Sequence, residues 1–185
     1  MPQITDRNII EALRGAQQGI QKYSEIMGIF RNVNVYESLE FQTKYNHYYK
    51  VRQKSGDWYK EYYRYMEELK GKEVNFKIIL LHIKDKLNKY EPSFSSKLLA
   101  THNPEMPIWD KHVLSNIGLK APAYSDKYKL SKAINVYEDL CRKYIEINDS
   151  PNGNNIIRMF NMEYPGMAWI SRNKKIDFVL WQLRN

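Results

Sequence analysis

Only one cysteine, Cys141, stands in the 185 residues. A lone thiol excludes an internal disulfide, a cysteine-rich zinc site and a four-cysteine iron–sulfur cluster, and it points to a reducing compartment. Long apolar runs are also missing. The longest, FKIILLHI at 76–83, falls far short of the roughly 20 residues a bilayer-spanning helix needs. The opening MPQITDRNIIEALRGAQQ turns polar at once, with no basic stretch, apolar run and cleavage site in succession. A cytoplasmic protein is therefore expected. No segment alternates apolar and polar residues long enough to compete as a strand, and no repeat or low-complexity linker divides the chain. These absences predict one all-α domain over 1–185, long enough to bury a core unaided.

What is present is positive charge and aromatic rings. The net charge of +8 and the 15 tyrosines make a polyanion the leading class of partner, since each phosphate neutralised by Lys or Arg releases condensed counterions. Basic clusters at Lys44, Lys50, Arg52 and Lys54, and at Lys127, Lys129 and Lys132, suit either a nucleic-acid groove or a solvated face.

Apolar residues recur with helical spacing throughout, and about eight helices are expected. The first starts after Thr5 and Asp6; the second follows Asn34; the third begins at Ser55 or Asp57 and ends at Gly71. The apolar run from Phe76 to about Asn88 predicts a deeply buried, central helix. Ser93 is expected to cap a short helix that Asn103-Pro104 stops, and Asp110 to open another that ends at Gly118. A long helix spans about Lys129 to Ile147, DSPNGNN reads as a turn, and Asn173 is expected to cap a terminal helix, KKIDFVLWQLRN.

The stretch with the most chemical character is Pro107 to Leu119, PIWDKHVLSNIGL. Asp110 there follows an apolar Pro-Ile-Trp and precedes Lys111, His112 and Val113, placing a carboxylate at a helix N-terminus. By itself that is the address of a plain N-cap. However, Asp110-Lys-His112-Val113 with the downstream Asn116-Ile-Gly118-Leu119 resembles the segment bearing the catalytic aspartate of the helix-hairpin-helix base-excision DNA glycosylases. The preceding EPSFSSKLLATHNPEMPIWD is similar to the hairpin, helix and connection that lead to that aspartate. SFSSKLL and the C-terminal KKIDFVLWQLR resemble most the bacterial 8-oxoguanine-glycosylase-like fold proteins. The detailed likeness covers about thirty residues, Glu91 to Leu119, with weaker support at Lys174 to Arg184.

This resemblance implies a DNA glycosylase fold, whose two-lobed form would place a cleft near Asp110. It implies excision of a damaged or modified base, an oxidised purine by family name alone. Asp110 would stabilise the cation that develops on the sugar, and DNA would be the partner, with no cofactor or metal. Ser93, Ser95, Ser96, Lys97, Lys111, His112 and Lys120 are the expected DNA-binding residues. Tyr48, Tyr49, Trp58, Tyr62 and Tyr63 are candidates for a base pocket or wedge, though their helical spacing suits core packing better.

The sequence departs from the family's pattern at two places. The glycine-containing hairpin is replaced by Tyr90-Glu91-Pro92-Ser93-Phe94-Ser95-Ser96, so phosphate would have to be held by helix-start amides, serine hydroxyls and Lys97. Lys97 also stands too close to Asp110 for the family's Schiff-base lysine, and a surface or phosphate-contacting role is expected of it. Water is therefore the expected nucleophile, as in a monofunctional enzyme.

His102, Asp110 and His112 lack the spacing of a metal site. His82 is expected to be a satisfied core histidine, and Asp177 an ion-paired or exposed helix residue rather than a second acid/base carboxylate. Two other functional classes stay open: a non-catalytic DNA-binding module of the same fold, and a protein- or RNA-interaction protein.

Overall fold

Thr5 sets the first helix by accepting the Asn8 amide while the Asn8 side chain returns to the Thr5 amide, which satisfies two donors a helix start leaves open. In the computed structural model, which describes residues 4–183, helix α1 is Asp6–Phe30, followed by α2 Leu39–Tyr49, α3 Gly56–Glu68 and α4 Phe76–Leu87. Then come α5 Pro92–His102, α6 Lys111–Asn116, α7 Lys129–Asp149, α8 Pro151–Glu163 and α9 Arg172–Gln182, with a short 3₁₀ turn at Pro165–Met167. Nine α-helices and no strand occur among the described residues. None of these helices is long and apolar enough to cross a membrane.

Several boundaries differ from the sequence expectation, each for a local reason. Asn34 does not start α2: its carbonyl closes a turn with the Glu37 and Ser38 amides, and Ser38 caps the helix through the Phe41 amide. Ser93 does not cap α5, which begins with Pro92 in its first turn, where the missing N–H costs nothing. DSPNGNN, expected to be a turn, is helical except at Ser150. Ser150 alone joins α7 to α8, ending one helix and capping the next through the Gly153 amide. Ser171, not Asn173, caps α9. The last two residues of the expected terminal helix, Arg184 and Asn185, lie outside the described residues.

The central helix is α9, not α4. Helix α4 buries Phe76, Ile79, Leu80 and Ile83 but leaves Ile78 and Leu81 nearly half exposed, so its apolar run covers more than the buried face. In α9 every residue from 174 to 180 is buried, including Lys174, Lys175 and Asp177. It packs against α1, α6, α7 and α8, and the Asn116 amide of α6 donates to the Leu180 and Leu183 carbonyls at its end. The buried apolar side chains form one continuous cluster.

Candidate functional site

Helices α4 and α5 form a tightly packed pair joined by a turn in which Asn88 adopts a left-handed conformation (φ 51°), a state that Asn tolerates better than most residues. The start of α5 is stitched to the segment carrying Asp110. Ser93 Oγ donates to the Trp109 carbonyl at 3.0 Å, and the Trp109 amide donates to Ser96 Oγ at 2.8 Å. Ser96 Oγ also donates to the Ser93 carbonyl, and Ser95 Oγ to the Glu91 carbonyl. From the other side Trp109 stacks on Phe76, Phe76 stacks on Tyr137, and the Tyr137 hydroxyl donates to the Pro107 carbonyl at 2.8 Å.

These bonds correct the expectation that Ser93, Ser95 and Ser96 hold a DNA phosphate. Ser95 and Ser96 are fully buried, all three hydroxyls are spent inside the chain, and their effect is to fix the turn before Asp110. Glu91, paired with Lys54, also sets a carboxylate where a phosphate would approach the start of α5.

Asp110 is the N-cap of α6, its Oδ1 accepting the His112 amide at 2.8 Å. It is half-buried, and its carboxylate makes no other hydrogen bond among the described residues, so the cap leaves acceptor capacity over. The carboxylate also lines a cavity of about 390 Å³, within the size range of small-molecule sites. Five elements build this cavity. Helix α1 contributes a small-residue face of Gly15, Ala16 and Gly19; α2 gives Tyr48 and Tyr49; α5 gives Lys97; α6 gives Val113 and its cap Asp110; and α9 gives Lys174, Asp177, Phe178 and Trp181. Lys22, His47 and Lys50 also line it, and His47 and Lys50 are exposed.

Lys97, expected at the surface or on a phosphate, is half-buried. Its ammonium lies 4.7 Å from the Phe94 ring and 5.8 Å from that of Tyr49, and donates to the Tyr49 carbonyl at 3.2 Å. Burial pulls its pKa down to about 8, against the attraction of Asp110 and with further lowering from Lys174. Asp177 is buried rather than exposed, but the ion-pair half of its expectation holds. Its Oδ2 lies 3.7 Å from Lys174 Nζ, and its Oδ1 accepts the Tyr144 hydroxyl. Burial raises this carboxyl to about 6, an effect that Lys174 and Tyr144 oppose and the charge of Asp110 reinforces. Four lysines and two carboxylates thus line one cavity.

The aromatic candidates divide. Trp58, Tyr62 and Tyr63 are core residues: the Trp58 and Tyr62 rings stack at 4.5 Å, and Tyr62 bonds to Tyr45 and to the Phe94 carbonyl. Tyr48 and Tyr49 reach the cavity. Lys111, His112 and Lys120 are exposed and in no ion pair among the described residues. His82 is only half-buried, held by Glu61 at 2.7 Å and stacked on Tyr65.

Sequence reasoning missed Gly15, Gly19, Lys22, His47, Lys174 and Trp181. A faint signal existed on α1, where Gly15, Ala16 and Gly19 fall on one helical face. Nothing in KKID announces burial, because the helix start of a basic protein reads as solvated. Comparison with protein-family models, with curated proteins and with solved structures gives no match for this chain.

Proposed function

We propose that this protein is a DNA N-glycosylase that takes a flipped, modified base into the cavity beside Asp110 and cleaves its glycosidic bond. The observation that carries the reading is Asp110 itself, held by the serine-stitched turn and facing a base-sized cavity with tyrosine walls and basic residues along it. A flipped base needs aromatic or apolar surfaces to replace the stacking it loses, and Tyr48, Tyr49, Phe178 and Trp181 offer them. A fixed carboxylate near C1′ stabilises the sugar cation. His47, Lys50, Lys111, His112 and Lys120 would meet the phosphates. The packed α4–α5 pair ahead of Asp110 suits the sequence resemblance, which remains the source of the glycosylase assignment.

Water is one candidate nucleophile. The position of Lys97 favours a second: an amine near 8 is partly neutral at physiological pH, and a neutral amine can displace the base at C1′, losing a proton, after which opening of the C1′–O4′ bond gives the Schiff base.

The test is an excision panel. Duplexes carrying 8-oxoguanine, uracil or an alkylated base are incubated with the protein and then treated with hot alkali, in parallel with borohydride. Cleavage of at least one duplex is expected; cleavage without a trapped covalent complex selects water, and a trapped complex that Lys97→Met abolishes selects the amine. No excision, with tight binding that weakens steeply with salt, overturns the catalytic reading in favour of a DNA-binding module. Absence of DNA binding at moderate salt overturns both.

A further inference from the structure

Between residues 111 and 137 the chain carries five lysines and a single acid, Asp126. That acid is already engaged, its Oδ2 accepting from the Lys132 ammonium at 2.5 Å. In the same stretch Tyr124 is 71% exposed and Tyr128 58%. One exposed aromatic residue standing alone is ordinary, but here each open ring is paired with a cation. Lys129 Nζ lies 4.0 Å from the centre of the Tyr124 ring and 5.3 Å from that of Tyr90, and Lys127 Nζ lies 4.8 Å from that of Tyr128. Tyr90 in turn meets the Tyr124 ring edge-on, their centres 6.0 Å apart. The segment is tied into a turn: the Asp126 amide donates to the Ala123 carbonyl at 3.0 Å, the Tyr128 amide to Asp126 Oδ1 at 2.8 Å, and the Lys129 ammonium to the Tyr124 carbonyl at 2.6 Å. A surface ordered in advance loses less entropy when a partner arrives.

We propose that the segment from Lys120 to Lys132 is a stacking platform for single-stranded nucleic acid, with unpaired bases lying on Tyr124 and Tyr128 and the neighbouring phosphates meeting Lys120, Lys127 and Lys129. A lysine covers one face of a ring and leaves the other to a planar ligand, and alternating aromatic and basic side chains match a strand that alternates bases and phosphates. A duplex fits less well, because its base faces are stacked on one another and only edges and phosphates are offered. An acidic peptide would satisfy the lysines and give the rings no planar partner. None of the platform residues lines the cavity beside Asp110, so the proposal stands apart from excision.

The test is fluorescence anisotropy with the intact protein and four labelled probes: oligothymidylate and oligouridylate of about 12 nucleotides, an abasic oligomer with the same number of phosphates, and a polyglutamate peptide. At least one of the two base-bearing oligomers is expected to bind about fivefold or more tighter than the abasic oligomer, and the better of them tells DNA from RNA. Joint substitution Tyr124→Ala and Tyr128→Ala is expected to weaken that oligomer by about 25-fold or more and to leave the abasic oligomer within about twofold of its wild-type affinity. Tyr124→Phe with Tyr128→Phe should retain binding, since stacking needs the ring and not the hydroxyl. Lys127→Gln with Lys129→Gln should flatten the dependence of log affinity on log salt by about 1.4. Both rings are exposed, so the thermal midpoint of the alanine variant should match that of the wild type, which separates lost stacking from lost fold.

An abasic oligomer bound as tightly as both base-bearing ones, an alanine variant that binds like the wild type, or no oligomer binding at moderate salt would each overturn the proposal. Polyglutamate bound as tightly as the oligonucleotides would overturn it in favour of an acidic protein partner. Failure of the excision panel alongside tyrosine-dependent oligomer binding would remove the glycosylase and leave the platform; excision with no such binding would do the reverse.

Discussion

Lys97→Met is expected to make the protein more stable at neutral pH, by about 2 kcal/mol, and to raise its thermal midpoint by roughly 4–8 °C. Holding this ammonium at about 8 rather than 10.5 means that the folded state disfavours the charged form by about 3 kcal/mol. Losing the bond to the Tyr49 carbonyl returns about 1 kcal/mol of that. Met keeps the length of the stem and brings no charge into the cavity.

The pH dependence has a definite sign. Between about 8 and 10.5 the unfolded chain binds a proton at Lys97 that the folded chain does not, so this residue's penalty is full below 8 and vanishes above 10.5. The wild type should therefore approach the variant in stability as pH rises through that window. Differential scanning fluorimetry at pH 7, 9 and 10.5 measures it. An unchanged or lower midpoint at pH 7 would mean that Lys97 is not held at such cost, and the reason for calling it functional rather than structural would go with it. Active-site groups commonly carry a cost of this kind, which selection retains for what the group does.

Gly153→Ala should destabilise the fold by roughly 3 kcal/mol or more and lower the midpoint by at least about 6 °C. A Cβ built at Gly153 lies 1.9 Å from the Ile147 carbonyl oxygen and 2.8 Å from its carbon. Both are backbone atoms, so neither can rotate away. The single-residue joint at Ser150 lets α7 and α8 approach this closely, and relieving the clash means prising them apart. In an unobstructed helix the same substitution gains up to about 1 kcal/mol. Gly28→Ala in α1, where an added Cβ meets nothing within 4 Å, is the control and should be neutral or stabilising. Chemical denaturation of both variants decides the matter, and a Gly153→Ala protein as stable as wild type would show the α7–α8 joint to be wrongly described.

How much of this was readable in advance depended on whether the determining contacts were local. Thr5 and Ser55 announce their helices because a cap bonds to amides two or three residues away, and Asp110 announces α6 for the same reason. The depth of α4 was misjudged because an apolar run shows what a segment can bury, not what packs over it. Here Ile78 and Leu81 have no covering helix. The converse holds for α9: Lys174, Lys175 and Asp177 look solvated in sequence, and only α1, α6, α7 and α8 closing around them make them interior.

The candidate site shows the same division. Asp110 was legible as a capping carboxylate beside apolar residues, and Tyr48 and Tyr49 as possible pocket residues. Lys97 was misplaced because the Tyr49 carbonyl and ring and the charge of Lys174, which surround it, come from distant parts of the chain. The Ser93–Ser96 run was read as an outward-facing anchor although its hydroxyls bond to Trp109, Ser93 and Glu91.

The central claim is that Asp110 acts on a substrate held in this cavity. The most direct measurement is the single-turnover excision rate of the best substrate in the panel, for wild type and Asp110→Asn, with duplex affinity measured alongside. Asn caps helices as well as Asp does, so the fold and the α6 start should be kept while the negative charge is removed. The expected result is a rate reduced by a factor of about 100 or more with affinity within about threefold of wild type. Excision by Asp110→Asn at the wild-type rate, or no excision by the wild type on any duplex, would contradict it.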